Sequence, residues 1–454
     1  MKILSAPHST DRTPDRKASP YRVPGRFNAF QRTMLQWNSM HPYNAVHVVQ
    51  IPGAPDQEHL RHAINRTLGA HALTGLTLNP DHGTYSYDAS AACCEINNLD
   101  CAESPRVSLS AEIERQLNTP FVHAEQFNPF RFFVAPGGDS FFLGLVYFHP
   151  MADAESVVLL LRELVEVCRE GSAPAFSPAL DLYPDGRAHL LRRHSKVVAR
   201  RLLALPGQIR NLRRSCRTPC RDAANMANRF TFFSLDPEML SSVVAAGKSW
   251  EVTVNDLWLA LLLKSLSPLA GGRMRARQRR AISAGCIVNL RSALGVDSRR
   301  TFGLFLGSFT VTHEVPETIG LRTLARDVQR QTAASKRHKL FLGTPLELGF
   351  ARFMLKLFSP ERRTKFYPKN YPLWGGITNL NLNSLWPAEP NAGPLDYFRG
   401  VSTGPVTPLV LSVTTIRDRA NIGLSYRPAV FSPEAVEGFT NRFLDELARL
   451  KEHR

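Results

Sequence analysis

His149 and Asp153 are the residues best placed to do chemistry. They lie in Phe148-His-Pro-Met-Ala-Asp153-Ala154, directly after the apolar run Phe141 to Phe148. An imidazole titrates near neutral pH, so it can take a proton from a hydroxyl or an amine under physiological conditions. At a strand end, where the chain leaves the sheet, a histidine can aim one ring nitrogen into a cleft and be held still. The plainer reading of His149 is a buried imidazole bonded to a backbone group. The plainer role of Asp153 is N-cap of the helix that follows.

Both residues depend on one strand and one helix, read across Phe141 to Gly171. Side chains alternate along a strand, so Phe141, Leu143, Leu145, Tyr147 and His149 share one face. Phe142, Val146 and Phe148 share the other. Both faces are apolar, which marks a central, buried strand. The same alternation turns Phe148 away from His149. Met151 to Ala154 makes the turn. Val157, Leu160, Leu161, Leu164, Val165 and Cys168 then recur at helical spacing up to Gly171.

The flanking chain supplies the rest of two globular halves. In the first, Val46 to Ile51 reads as a strand, and Asp56 caps a helix carrying Leu60, Ala63, Ile64 and Leu68. Ser108 to Leu117 is helical, Pro129 to Val134 is a strand, and Gly137-Gly-Asp139 is a hairpin turn. In the second, Phe230 to Leu235 is a strand, and Thr253 to Ser267 is an apolar helix whose start is capped by Asn255 and Asp256. Ala281 to Leu290 is a strand ending at Asn289-Leu-Arg291, and Leu321 to Lys339 is a helix. Gly375 to Leu380 is a strand end, Leu409 to Ile416 and Ala420 to Tyr426 form a hairpin, and Pro433 to Leu450 closes the chain as a helix. The expected division is a disordered basic arm over 1–26, an N-terminal lobe over 27–180, a basic amphipathic crossover over 181–225 and a C-terminal lobe over 226–454.

At 454 residues, with 43% hydrophobic and 21% charged, the chain reads as a soluble protein with two cores. Its most apolar run, Leu257 to Leu263, is too short to span a bilayer. The N-terminal arm lacks the apolar segment of a signal peptide, so the expected location is cytoplasmic. Seven scattered cysteines argue for reduced thiols, and Cys216 and Cys220 lack the partners of a zinc site. The net charge of +17 calls for an acidic partner. Arg187 to Arg221 holds no carboxylate before Arg221 and carries leucines at helical spacing, interrupted at Pro206-Gly207. It reads as a solvated crossover, as a helix lying on an anionic membrane, or as a nucleic-acid contact. The second reading gains from the basic and apolar cluster Phe350 to Lys369. The third is the weakest, because no nucleic-acid module accompanies the charge.

The order of these pieces resembles the chloramphenicol-acetyltransferase-like superfamily, which includes condensation domains, wax ester synthases and polyketide-associated acyltransferases. Its signature is His-His-x-x-x-Asp-Gly at the end of a buried strand. Here Phe148 replaces the first histidine and Ala154 the glycine, while His149 and Asp153 are kept. Leu117 to Phe121 and Pro129-Phe-Arg131 are similar to segments preceding the motif in condensation-type members. Thr253-Val-Asn255-Asp256 is similar to a helix start in wax ester synthases, and Thr415 to Tyr426 to the closing hairpin. The Asp-Phe-Gly-Trp-Gly motif of the plant branch is absent.

The resemblance implies an α/β, two-lobed CoA-dependent acyltransferase-like fold. Each lobe would hold a mixed sheet with flanking helices, with a channel between the lobes. It implies acyl transfer with His149 as general base and Arg291 paired to Asp153 as structural support. No bound cofactor or metal is implied; acyl-CoA or the phosphopantetheinyl thioester of an acyl carrier protein would be the co-substrate and partner. Asn379 and Ser412, from strand position, are candidates to donate to the oxyanion or line the channel. The expected reaction transfers the acyl group to a hydroxyl of a lipophilic acceptor, at the inner face of a membrane if the basic segments bind there. The alternatives are an amide-forming enzyme of condensation type and an inactive binding member of the fold.

Overall fold

The computed structural model describes residues 22–88, 94–100, 104–123, 125–170, 181–182, 195–297, 301–359, 366–386 and 393–452. Its first half is built on the focal strand. This strand, β7 (Ser140–Phe148), has every residue buried. It lies between β2 (Asn44–Pro52) and β6 (Phe130–Pro136), antiparallel to both. The two apolar faces therefore have their physical reason: the strand has sheet on both edges and packing on both sides. β5 (Ile96–Asn98) extends the sheet beyond β6. Helices α2 (Gln57–Ala70), α3 (Pro105–Asn118) and α4 (Ala154–Glu170) supply Leu60, Ile64, Ile113 and Leu161 to its core. Asp56 caps α2 as expected, accepting from the Glu58 and His59 amides.

The second half is a six-stranded mixed sheet in the order β12-β10-β13-β15-β16-β9. These strands are β9 (Arg229–Leu235), β10 (Ile282–Asn289), β12 (Leu306–His313), β13 (Gly375–Asn381), β15 (Leu409–Ile416) and β16 (Arg419–Tyr426). Helices α6 (Pro237–Ser249), α7 (Val254–Leu266), α9 (Leu321–Arg337) and α11 (Pro433–Glu452) cover one face and form the second core. α7 is apolar all round because sheet and helices enclose it: Leu257 to Leu263 are all fully buried.

The expected domain division needs three corrections. First, β14 (Asp396–Val401) leaves the second half and pairs antiparallel with β2 at the edge of the first sheet. It also packs against the second sheet: a Cβ on Gly423 would lie 1.9 Å from the Arg399 carbonyl oxygen. Residues 226–454 therefore do not form one lobe, and β14 ties the two sheets together. Second, Arg22–Arg26, placed in the basic arm, form β1 and pair with β4 (Thr84–Asp88). Third, Ser195–Arg214 is one helix, α5, running through Pro206 rather than stopping there. Proline removes one backbone donor and crowds the carbonyl four residues before it, a local disturbance that a 20-residue helix carries with intact turns on either side. Residues 183–194 of the expected crossover lie outside the described residues.

Candidate functional site

Where β7 ends, the backbone turns through Pro150 and Met151 into α4. His149 sits at this corner, 7% exposed. Its Nδ1 lies 2.9 Å from the Ala152 carbonyl oxygen. A carbonyl only accepts, so Nδ1 carries the ring proton and Nε2 the lone pair. Nε2 has no hydrogen-bond partner among the described residues. The ring stacks on Tyr43, with centroids 5.4 Å apart and planes 10° apart, and meets Tyr147 edge-on. The His149 amide also donates to the Tyr43 carbonyl oxygen at 3.3 Å. Burial pushes its pKa below the ordinary imidazole value. The Ala152 carbonyl and the Asp153 charge oppose that shift, and the Arg399 charge adds to it. The result is an oriented neutral imidazole whose basic nitrogen is left unpaired.

Asp153 begins the helix that follows. Its Oδ1 accepts from the Ser156 amide at 3.0 Å, the expected N-cap bond. Its Oδ2 accepts from Arg291 Nη1 at 2.7 Å and from the Phe305 amide at 2.9 Å. Arg291, 2% exposed, also donates from Nη2 to Ser156 Oγ at 2.6 Å and lies over the Phe305 ring. Ser156 Oγ completes the knot by donating to the Gly303 carbonyl oxygen and accepting from the Gly303 amide. The carboxylate is thus engaged by an arginine and by backbone of the second half. These bonds tie the turn after His149 to the second half.

Phe148 points to the other side of the sheet, where its ring packs among Phe121, His123 and Phe127. Replacement of the signature's first histidine therefore leaves the surroundings of His149 intact. Asn255 and Asp256 sit apart from this cluster. The N-cap of α7 is Thr253, with Asp256 as the reciprocal residue of a capping box. Asp256 also accepts from Thr332 Oγ1 at 2.6 Å, and Asn255 donates to Cys286 Sγ. Asn379 is exposed and paired with Val413, on the sheet face packed into the second core. Ser412 lies on the opposite face, 1% exposed, and its Oγ has no hydrogen-bond partner.

The sequence reading missed Tyr43, His47, Tyr397 and Arg399, which share the buried side of the first sheet with Tyr147. His47 Nδ1 and Tyr397 Oη share a 2.6 Å hydrogen bond. Polar residues inside apolar strands, His47 in Ala-Val-His-Val-Val and Arg399 in Tyr-Phe-Arg-Gly-Val, were the available signal. A separate cleft of about 590 Å³ lies between α3 and β9, lined by Arg106, Glu114, Arg115 and Phe232 among others. It does not include His149.

No protein-family profile matches the chain, and no curated protein does. Solved structures do. The first condensation domain of the calcium-dependent antibiotic synthetase, in complex with a substrate analogue, superposes with a TM-score of 0.69 at 18% identity, over 94% of this chain and 96% of that one. The EpoB cyclization-docking bidomain from Sorangium cellulosum gives 0.67 at 14% identity, over 98% and 88%. A mutant starter condensation domain of rhizomide synthetase, in complex with C8-CoA and Leu-SNAC, gives 0.64 at 15% identity, over 94% of each chain. The fold is that of condensation domains.

Proposed function

We propose that the protein is a thioester-dependent acyltransferase with His149 as its general base. The observation that carries this reading is the state of His149: proton fixed on Nδ1 by the Ala152 carbonyl, Nε2 unpaired, and pKa held low by burial. In the proposed reaction Nε2 takes the proton of the acceptor as its oxygen or nitrogen attacks the thioester carbonyl carbon. The tetrahedral oxyanion collapses, the carbon–sulfur bond breaks, and the imidazolium returns the proton to the departing thiolate. No covalent enzyme intermediate forms. General-base help contributes roughly 10²–10⁴-fold, and holding donor and acceptor together supplies much of the remainder.

The donor is acyl-CoA or an acyl carrier protein, and the acceptor is a hydroxyl on a lipophilic molecule. The rhizomide domain's complex with C8-CoA supports the donor class. Amide formation is the second reading, favoured by the likeness to condensation domains of peptide synthetases. Exposed Phe350 and Phe353 on the helix Thr344–Lys356 and Leu357 at its C-cap, together with the basic helix Ser195–Arg214, support contact with an anionic surface. Thiol release from acyl-CoA and acylated carrier proteins, with pooled alcohols and amines, tests the reaction. Acceptor-dependent release that collapses in His149→Ala is expected; equal release in both proteins would refute it.

A further inference from the structure

Arg399 is a buried guanidinium without an anion. It is 4% exposed and, among the described residues, no carboxylate lies within ion-pair distance of it. Its partners are neutral oxygens of the second sheet. Nε donates to Thr414 Oγ1 at 2.9 Å, and Nη2 donates to the carbonyls of Val413 and Thr378 at 2.8 and 3.4 Å. Nη1 has no partner among the described residues. Taking a charge out of water costs several kcal/mol unless an opposite charge answers it. The buried groups around it do not: His47 and His149 are both held neutral, and its charge depresses both.

Ser412 supplies a second donor at the same place. β13 and β15 pair Thr378 with Ser412, and Thr414 lies two residues further along the same face. Ser412 is therefore flanked by the two carbonyls that hold Nη2, and its buried hydroxyl is unpartnered. A guanidinium nitrogen beside a hydroxyl matches the two oxygens of a carboxylate.

We propose that Arg399 and Ser412 bind a carboxylate carried by the acceptor substrate, in the seam between the two sheets. The proposal rests on the acyltransferase reading for the word acceptor, but the site itself can be tested without turnover. The probes are 3-hydroxydecanoate and 2-aminodecanoate, each against its methyl ester, titrated calorimetrically into the full chain. The acids are expected to bind roughly 10- to 100-fold more tightly than the esters, the contribution of a charge-assisted hydrogen bond. Arg399→Gln is expected to abolish that preference. Should Arg399→Gln fail to fold, Ser412→Ala decides the matter, because its hydroxyl has no native bond to lose. It should cut acid affinity roughly two- to tenfold and leave ester affinity unchanged. Acid and ester binding alike in the wild type, binding of neither, an acid preference surviving in a folded Arg399→Gln, or an acid affinity undiminished in Ser412→Ala overturns the site. A clear acid preference in a protein that transfers no acyl group would refute the function and leave the site standing.

Discussion

Removal of the Asp153 carboxylate should damage the fold before it damages the chemistry. Asp153→Ala deletes the Ser156 N-cap bond and the bonds from Arg291 and Phe305. It also leaves Arg291 buried at 2% exposure with one remaining side-chain bond, to Ser156 Oγ. Breaking a buried ion pair by removing one partner costs about 3–5 kcal/mol, and losing an aspartate cap costs about 1 kcal/mol. Both losses act on one carboxylate and do not simply add, so about 4 kcal/mol is expected. The assay is urea unfolding of wild type, Asp153→Ala, Asp153→Asn, Arg291→Met and the Asp153→Ala/Arg291→Met double variant. The asparagine variant keeps the cap and should recover about 1 kcal/mol. The double variant should cost less than the sum of the single ones, since no charge is left stranded. If Asp153→Ala cost under about 1 kcal/mol while transfer fell a hundredfold, Asp153 would belong to the reaction and this reasoning would fail.

His149→Ala should lose about 1–3 kcal/mol of stability, one net hydrogen bond plus the ring's packing on Tyr43 and Tyr147, while transfer per folded molecule falls roughly 10²–10⁴-fold; parallel activity and unfolding measurements check this. Burial holds the His149 pKa below 6.5, so its basic form persists at mildly acidic pH. The rate should fall only as pH drops through that lowered value, and a pH profile with its midpoint at or above 6.5 would contradict it. The unfolded chain binds more protons than the folded one at His47 and His149 below 6.5. Stability should therefore be complete above pH 6.5 and decline as pH falls below it, as urea midpoints across that range would show. Gly423→Ala would drive a methyl into the Arg399 carbonyl, and should cost about 1–3 kcal/mol by thermal unfolding as β14 is pushed off the second sheet. Asp256→Ala should lower stability by about 1–2 kcal/mol, through the lost capping box and Thr332 bond, with transfer per folded molecule unchanged.

Local pattern alone determined much of this protein. Two-residue alternation over Phe141 to Phe148 marked a central strand, because a side chain's face depends only on its own position. It also turned Phe148 away from His149. Helical spacing and capping chemistry found α2 and α7, since a cap bonds within one turn of itself, although the capping residue of α7 proved to be Thr253. The motif's order in the chain pointed to the fold and to His149, Asp153 and Arg291. Only the tertiary structure decided which groups meet. Tyr43 reaches His149 from the residue just before β2, and Arg291 reaches Asp153 from 138 residues away. β14 joins the first sheet from late in the chain, which no periodicity reports, because its pairing with β2 is made by backbone hydrogen bonds to a strand far away in the sequence. The same crossing brings Arg399 and Ser412 to one seam from two different sheets. Which face of β13 looks toward that seam, and so why Asn379 is turned from it, depends on where the helices pack. That is a property of the assembled cores, absent from any single stretch of sequence.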